Sequence, residues 1–177
     1  ASCSKETLYR WYGDRDGLLT ATVKWQASKV IMPDMDQAKI TERSLITMLE
    51  KFAQSWLTVL TSDVSIALNR MAVAHAGSGK SRLGEIVLRN GPFAMKERLL
   101  PIFRLGKSNG ILSVTGDEAF RLFFGLVVAD TQIRVLLGDQ ETPDQNKIQK
   151  LSKRAVKQFF ALCGCQSENM TNATYGR

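Results

Sequence analysis

From Ile40 to Gly164 apolar residues return every three or four positions, the spacing of one face of an α-helix, and no stretch alternates as a half-buried strand does. Leu45, Leu49, Phe52, Trp56 and Leu60 make the first long stripe, and its start is marked by Ile40 and Leu45, which flank Thr41 as a hydrophobic staple flanks an N-cap. Further helices are predicted over about 63–76, 82–90 and 92–108, the last bent at Pro101 and ended by Asn109-Gly110. Thr115-Gly116-Asp117-Glu118 reads as a capping box. The helix it opens runs to Gly138 and is apolar on nearly every side, through Phe120, Leu122, Phe123, Phe124, Leu126, Val127, Val128 and Ile133, so it must be covered all round. Thr142 caps the final helix, with Pro143 at its first position, and Ile148, Leu151, Ala155, Phe159 and Leu162 form a stripe that Gly164 stops. The predicted fold class is all-α, without a repeat of fixed period.

The front of the chain, ASCSKETLYRWYGDRDGLL, has the punctuation of two helices and a tight break. Ser4 can cap a helix over Lys5 to Tyr12 by accepting from the amide of Thr7. Gly13 can take the left-handed conformation that ends it, and Asp14 is then free to cap a helix starting at Arg15. Two turns alone do not hold their shape in water.

Composition narrows the class. A chain of 177 residues, 44% hydrophobic, can bury one good core. Lys and Arg outnumber Asp and Glu by 24 to 17, a charge of +7 that suits a nucleic acid or another anionic partner and is also an ordinary route to solubility. Cys3, Cys163 and Cys165 contain no CxxC pair, and with a single histidine they make no zinc site of the usual type. Reduced thiols of a cytoplasmic protein are the simplest reading, and the sequons at Asn169 and Asn172 then carry no meaning. The longest apolar run is interrupted by Asp130 and Arg134, so no membrane span is predicted.

Two chemistries are weighed and set aside. AHAGSGKS, Ala74 to Ser81, has the glycines, lysine and serine of a phosphate-cradling loop, but it follows a helix where that mechanism requires a strand, and Ala74 stands for the first glycine. A helix connection is the plainer account. His75 has no nucleophile paired with it, and no two carboxylates stand at a spacing that compels general acid catalysis. No enzyme, metal or cofactor is expected.

SKETLYRWYGDRDGLLTATV resembles the recognition helix, the turn and the start of the following helix in the TetR family of bacterial transcriptional repressors. That pattern is a small residue, Gly-Val-Ser-Lys, a variable residue, Thr-Leu-Tyr, a second variable residue, Tyr-Phe, then a helix start with Lys-Glu and a leucine pair. The likeness spans about residues 1 to 23, with Ser2 and Cys3 for Gly-Val, Trp11 and Tyr12 for Tyr-Phe, and Arg15-Asp16 for Lys-Glu. The stretch from Arg70 through NGPFAMKERLLPIF to GILSVTGDEAF is similar to the AefR-like subset of the C-terminal domains, although His75 stands where that subset usually has an acid.

The resemblance implies a TetR-like fold: residues 1–26 the end of a helix-turn-helix head, 27–165 a ligand-binding and dimerisation domain, and 166–177 a polar tail. It also implies two further helices before residue 1, so operator binding is expected of the intact protein and not of this chain. Ser2, Lys5, Glu6 and Thr7 are then placed to meet base edges, while Ser4, Tyr9, Arg10, Tyr12 and Arg15, and Lys5 as well, can serve phosphates. Leu8 and Trp11 read as core, and Tyr12 reads equally well as packing. A homodimer through about 117–138 and 143–162 would hold two recognition helices about 34–36 Å apart. Phe52, Trp56, Met71, His75, Phe93 and Phe124 are the candidate lining of a site for a small apolar or aromatic effector that releases the operator. Such stripes are also what plain core looks like, and His75 serves either as a satisfied core residue or as the polar group of that site. A nucleotide binder using GSGKS and a helical interaction module without DNA are the alternative functions.

Overall fold

A computed structural model describes residues 4–33, 40–76 and 82–165. Among them run nine helices: α1 Lys5–Tyr12, α2 Arg15–Ser28, α3 Glu42–Leu60, α4 Asp63–Ala74, α5 Leu83–Asn90, α6 Pro92–Ser108, α7 Gly116–Val128, α8 Thr131–Leu137 and α9 Gln145–Cys163. The described residues contain no strand; one isolated bridge joins Leu112 to Gly164. None of the helices is long and apolar enough to cross a membrane.

Most boundaries follow from local hydrogen bonds. Ser4 Oγ accepts from the Thr7 amide at 3.2 Å, Asp14 Oδ1 from Gly17 at 2.7 Å, and Thr41 Oγ1 from Ser44 at 3.1 Å, with Ser44 Oγ returning the bond to the Thr41 amide. Ile40 lies half-buried against the core beside that cap. Gly13 ends α1 with φ at +81°, and its amide reaches the Tyr9 carbonyl.

The main core gathers α3, α6, α7 and α9. Phe123 of α7 lies 6.4 Å from Phe52 of α3, 5.8 Å from Phe103 of α6 and 5.6 Å from Phe159 of α9, centroid to centroid. A second, smaller cluster joins α2, α4 and α5 through Val23, Leu68 and Ile86. Arg98 of α6 fastens the segment that follows α2 to the main core by donating from Nη2 to the Val30 carbonyl at 2.7 Å. Partial burial there pushes the guanidinium pKa down.

Four boundaries differ from the sequence reading. The helix expected from Thr115 to Gly138 is two, because Ala129 takes φ at +42° and its amide closes on Gly125, so α8 starts afresh at Thr131. Apolar spacing does not register such a break, which changes backbone direction without changing composition. The 115–138 stretch is not covered all round in the single chain: Ile133 and Leu137, on α8, are 50% and 78% exposed. At α9 the cap is Asp144, whose Oδ1 accepts from Lys147 at 2.7 Å. Thr142 instead donates to the Thr61 carbonyl, and Pro143 is buried one residue before the cap. Leu162 is exposed and Cys163 takes its expected place in the α9 stripe, since the buried row runs through Ile148, Ser152, Ala155, Val156, Phe159 and Cys163. Burial pushes the Cys163 thiol up, with Glu118 adding to the shift. α4 stops at Ala74 with His75 as its C-cap, and Arg82 precedes α5.

A non-glycine residue with positive φ is strained by about 1 kcal/mol or more. Ala129 is exposed and its side chain supplies little packing. Ala129→Gly should therefore raise the urea midpoint, by about 0.5–1 kcal/mol of stability; a lowered midpoint would show that the backbone there is not held at this φ.

Candidate functional site

α1 presents a polar, mostly exposed surface. Ser4, Lys5, Glu6, Arg10, Tyr12 and Arg15 are exposed, while Thr7 and Tyr9 are half-buried. Ser4 and Thr7 share a hydroxyl contact of 3.0 Å, and Lys5 Nζ lies 5.5 Å from the centre of the Tyr9 ring. These candidates therefore lie on one short helix, on the Ser4 cap that precedes it and on Arg15 at the start of α2. Ser2 lies outside the described residues, as does the GSGKS segment. Leu8 is half-buried, but Trp11 is 65% exposed, contrary to a core role, because among the described elements α1 packs chiefly on α2. Tyr12 lines a shallow hollow with Leu18, Ala21, Thr22 and Trp25.

Behind this head lies a cavity of about 280 Å³. One wall is α2, through Val23, Gln26 and Ala27, continued by Val30 just past its end. The opposite wall is α3 and α7, through Trp56, Val59, Leu60 and Phe124, with α4, α5 and α6 closing the sides through Leu68, Val87 and Met95. The cavity thus occupies the seam between the large core and the small one, where Val23 and Leu68 of the second meet Val30, Trp56 and Met95 of the first. Trp56 and Phe124 stand 5.5 Å apart, centroid to centroid, and give it an aromatic side.

The end of α2 is held on this wall from several directions. Ser55 Oγ accepts from the Ile31 amide at 2.8 Å and donates to the Lys29 carbonyl, and Arg98 takes the Val30 carbonyl. Gln26, 4% exposed, donates from Nε2 to Ser62 Oγ at 2.6 Å, while its Oε1 is sealed from solvent without a partner among the described residues. An orphaned buried acceptor of this kind costs about 1–3 kcal/mol.

Residues 47–165 match the C-terminal domain of AefR-like transcriptional repressors. A TetR transcriptional regulator from Agrobacterium tumefaciens is 40% identical in sequence, with a TM-score of 0.76 over 93% of this chain and 79% of that one. The chain belongs to the TetR family. Two more distant structures share the fold. One is a TetR-family regulator from Mesorhizobium loti, 19% identical, with a TM-score of 0.69 over 92% of this chain and 81% of that one. The other is the flavonoid-responsive regulator FrrA, 20% identical, with a TM-score of 0.70 over 93% and 82%. No curated protein matches. The all-α, TetR-like architecture read from the sequence is thus borne out, and the chain is a transcriptional regulator.

The six effector-site candidates of this TetR-family chain do not assemble in one place. Trp56 and Phe124 line the cavity. Phe52 is fully buried in the large core beside Trp56, at 5.5 Å. Met71 is 38% exposed on α4, and Phe93 flanks a separate surface hollow with Lys96, Phe120 and Phe124. His75 is exposed at the end of α4, its Nδ1 2.8 Å from the Met71 carbonyl. Periodicity misses the α2 wall because α2 has almost no apolar asymmetry; its small residues, Ala27 and Val23, are what leave the space. Gln26 carries a local signal, since a glutamine on the inward side of a helix requires a partner.

Ser62 holds both Gln26 and the start of α4, where its Oγ caps the Ser65 amide at 3.4 Å. Ser62→Ala should cost about 1–2 kcal/mol by urea unfolding, and Ser62→Thr, which keeps the hydroxyl, much less. Equal losses would show that the hydroxyl bonds contribute nothing.

Proposed function

We propose that the protein is a repressor that binds an inverted-repeat operator as a homodimer and is released by a small apolar or aromatic ligand. The single observation that supports the coupling is that one helix, α2, carries α1 at its front and lines the cavity at its back. A ligand seated against Val23, Ala27 and Val30 contacts the same rigid element that aims the recognition helix. With residues 29–31 held to α3 and α6, a displaced α2 turns about its C-terminal end and moves α1 the furthest. Release requires only that the ligand bind the displaced form more tightly.

Residues 1–26 serve as the end of the helix-turn-helix head and 27–165 as the effector and dimer domain. Ser2, Lys5, Glu6 and Thr7 meet bases; Ser4, Tyr9, Arg10, Tyr12 and Arg15 meet phosphates. The dimer forms through α7, α8 and α9, whose exposed Ile133, Leu137 and Leu162 are the apolar surface that a second copy covers. The effector occupies the cavity beside Trp56 and Phe124, as an aromatic ligand would; one structural neighbour of the chain is a flavonoid-responsive regulator. The protein acts in the cytoplasm, without catalysis and without a cofactor.

Selection from a random duplex pool by the intact protein, with its complete helix-turn-helix, should enrich an inverted repeat; a folded protein that enriches nothing would overturn the reading. On that operator, Arg10→Ala should flatten the salt dependence of binding by about one unit of slope. Ala27→Leu fills the α2 wall of the cavity. It should leave operator affinity within about threefold of wild type while weakening release by an effector at least about tenfold. An unchanged effector response in Ala27→Leu would move the effector site elsewhere.

A further inference from the structure

The reading of the cavity as the effector site can be taken one step deeper, to the chemical class of the effector. None of the described residues that line the cavity is charged; its polar side chains are Gln26, Ser65, Asn69 and Gln132. An ionic ligand would leave water for a place without a counter-charge. The surrounding surface is otherwise apolar, with the rings of Trp56 and Phe124 on one side. A volume of about 280 Å³ is close to twice the roughly 150 Å³ cavity that holds one benzene, so it has room for a two-ring skeleton.

The two carboxamides on α2 and α4 are fixed in orientation by what they touch. Ser62 has one hydroxyl proton, and it goes to the Val59 carbonyl at 2.8 Å. Toward Gln26 Ser62 can therefore only accept, which sets the Gln26 nitrogen on Ser62 and leaves the oxygen over. Asn69 repeats the arrangement: its Nδ2 donates to the Ser65 carbonyl at 2.8 Å, and a flipped amide would set two acceptors against each other. Each amide nitrogen gives one N–H to the protein, which settles which end of each carboxamide is the oxygen. The Gln26 oxygen is sealed from solvent and lacks a donor among the described residues. The terminal torsion of a glutamine is broad, so that oxygen can turn to a donor arriving in the cavity.

We propose that the effector is an uncharged aromatic molecule bearing a hydrogen-bond donor, a phenolic hydroxyl or an aromatic N–H, received by the carboxamide oxygen of Gln26 with Asn69 as the second acceptor. This rests on the effector-cavity reading above. It also gives the ligand a grip on α2 itself, because Gln26 belongs to the helix that carries α1.

The test is calorimetric titration of the chain with four two-ring probes: naphthalene, 2-naphthol, 2-methoxynaphthalene and 2-naphthoate. The hydroxyl compound should bind at least about tenfold tighter than its methyl ether, which accepts but cannot donate, and the carboxylate weakest of all. In Gln26→Leu the 2-naphthol affinity should fall about tenfold while naphthalene stays within about threefold, which also shows that the variant is folded and the cavity open. Equal binding of the naphthol and its ether, or tightest binding of the carboxylate, would overturn the donor rule and leave the effector cavity standing. A naphthol preference that survives in Gln26→Leu would overturn the assignment to Gln26. Absence of binding by all four probes to the folded wild-type chain would overturn the rule and the cavity reading together.

Discussion

The ring of Phe123 is the point on which the domain depends. It meets Phe52, Phe103 and Phe159, and so fixes α3, α6 and α9 around α7 through one side chain with no exposed surface. Aromatic rings bury large areas and hold preferred angles to one another, so such a hub sets both the distance and the tilt of its neighbours. The chain of rings continues outward. Phe52 touches Trp56, and Trp56 touches Phe124 at the edge of the cavity, so one face of the candidate effector site is an extension of the rigid core.

The opposite face is built differently. The small cluster of Val23, Leu68 and Ile86 has three buried members where the main core has more than twenty, so less apolar burial is lost when it rearranges. A cavity with one stiff wall and one soft wall transmits strain in one direction. α2 is the soft wall: its end is fastened by Ser55 and Arg98, while its body rests on the small cluster against α4 and α5. That asymmetry is what the proposed link between the cavity and the position of α1 rests on. The unpartnered oxygen of Gln26 belongs to the same wall, which makes the chemistry of recognition and the mechanics of the response properties of one helix.

α7 and α8 carry a second consequence of the core. Packing Phe120, Phe123, Val127 and Val128 inward leaves Leu122, Phe124 and Leu126 half-buried, and past the break at Ala129 it leaves Ile133 and Leu137 facing outward. A single chain of this length does not cover that apolar surface. The break also lets α8 approach α4, where Arg70 donates to the carbonyls of Val135 and Leu136 and closes the open end of the helix.

Most helix ends could be read from the sequence, because a cap is a contact between residues three apart and needs no other part of the fold. Ser4, Asp14, Thr41 and Thr115 all cap where their side chains and the following apolar residues say they should. The recognition-helix pattern was legible for the same reason. Where a local signal competes with a distant partner the sequence is silent: Thr142 gives its hydroxyl to Thr61, far away in the chain, and Asp144 takes over the cap. The composition of the cavity lay beyond the sequence altogether. Phe52 and Trp56 stand one helical turn apart on the same stripe, yet one closes the core and the other faces a void. Only the docking of α2 against α5 and α4 decides which, since the cavity is bounded by residues from seven helices whose mutual distances no periodicity encodes.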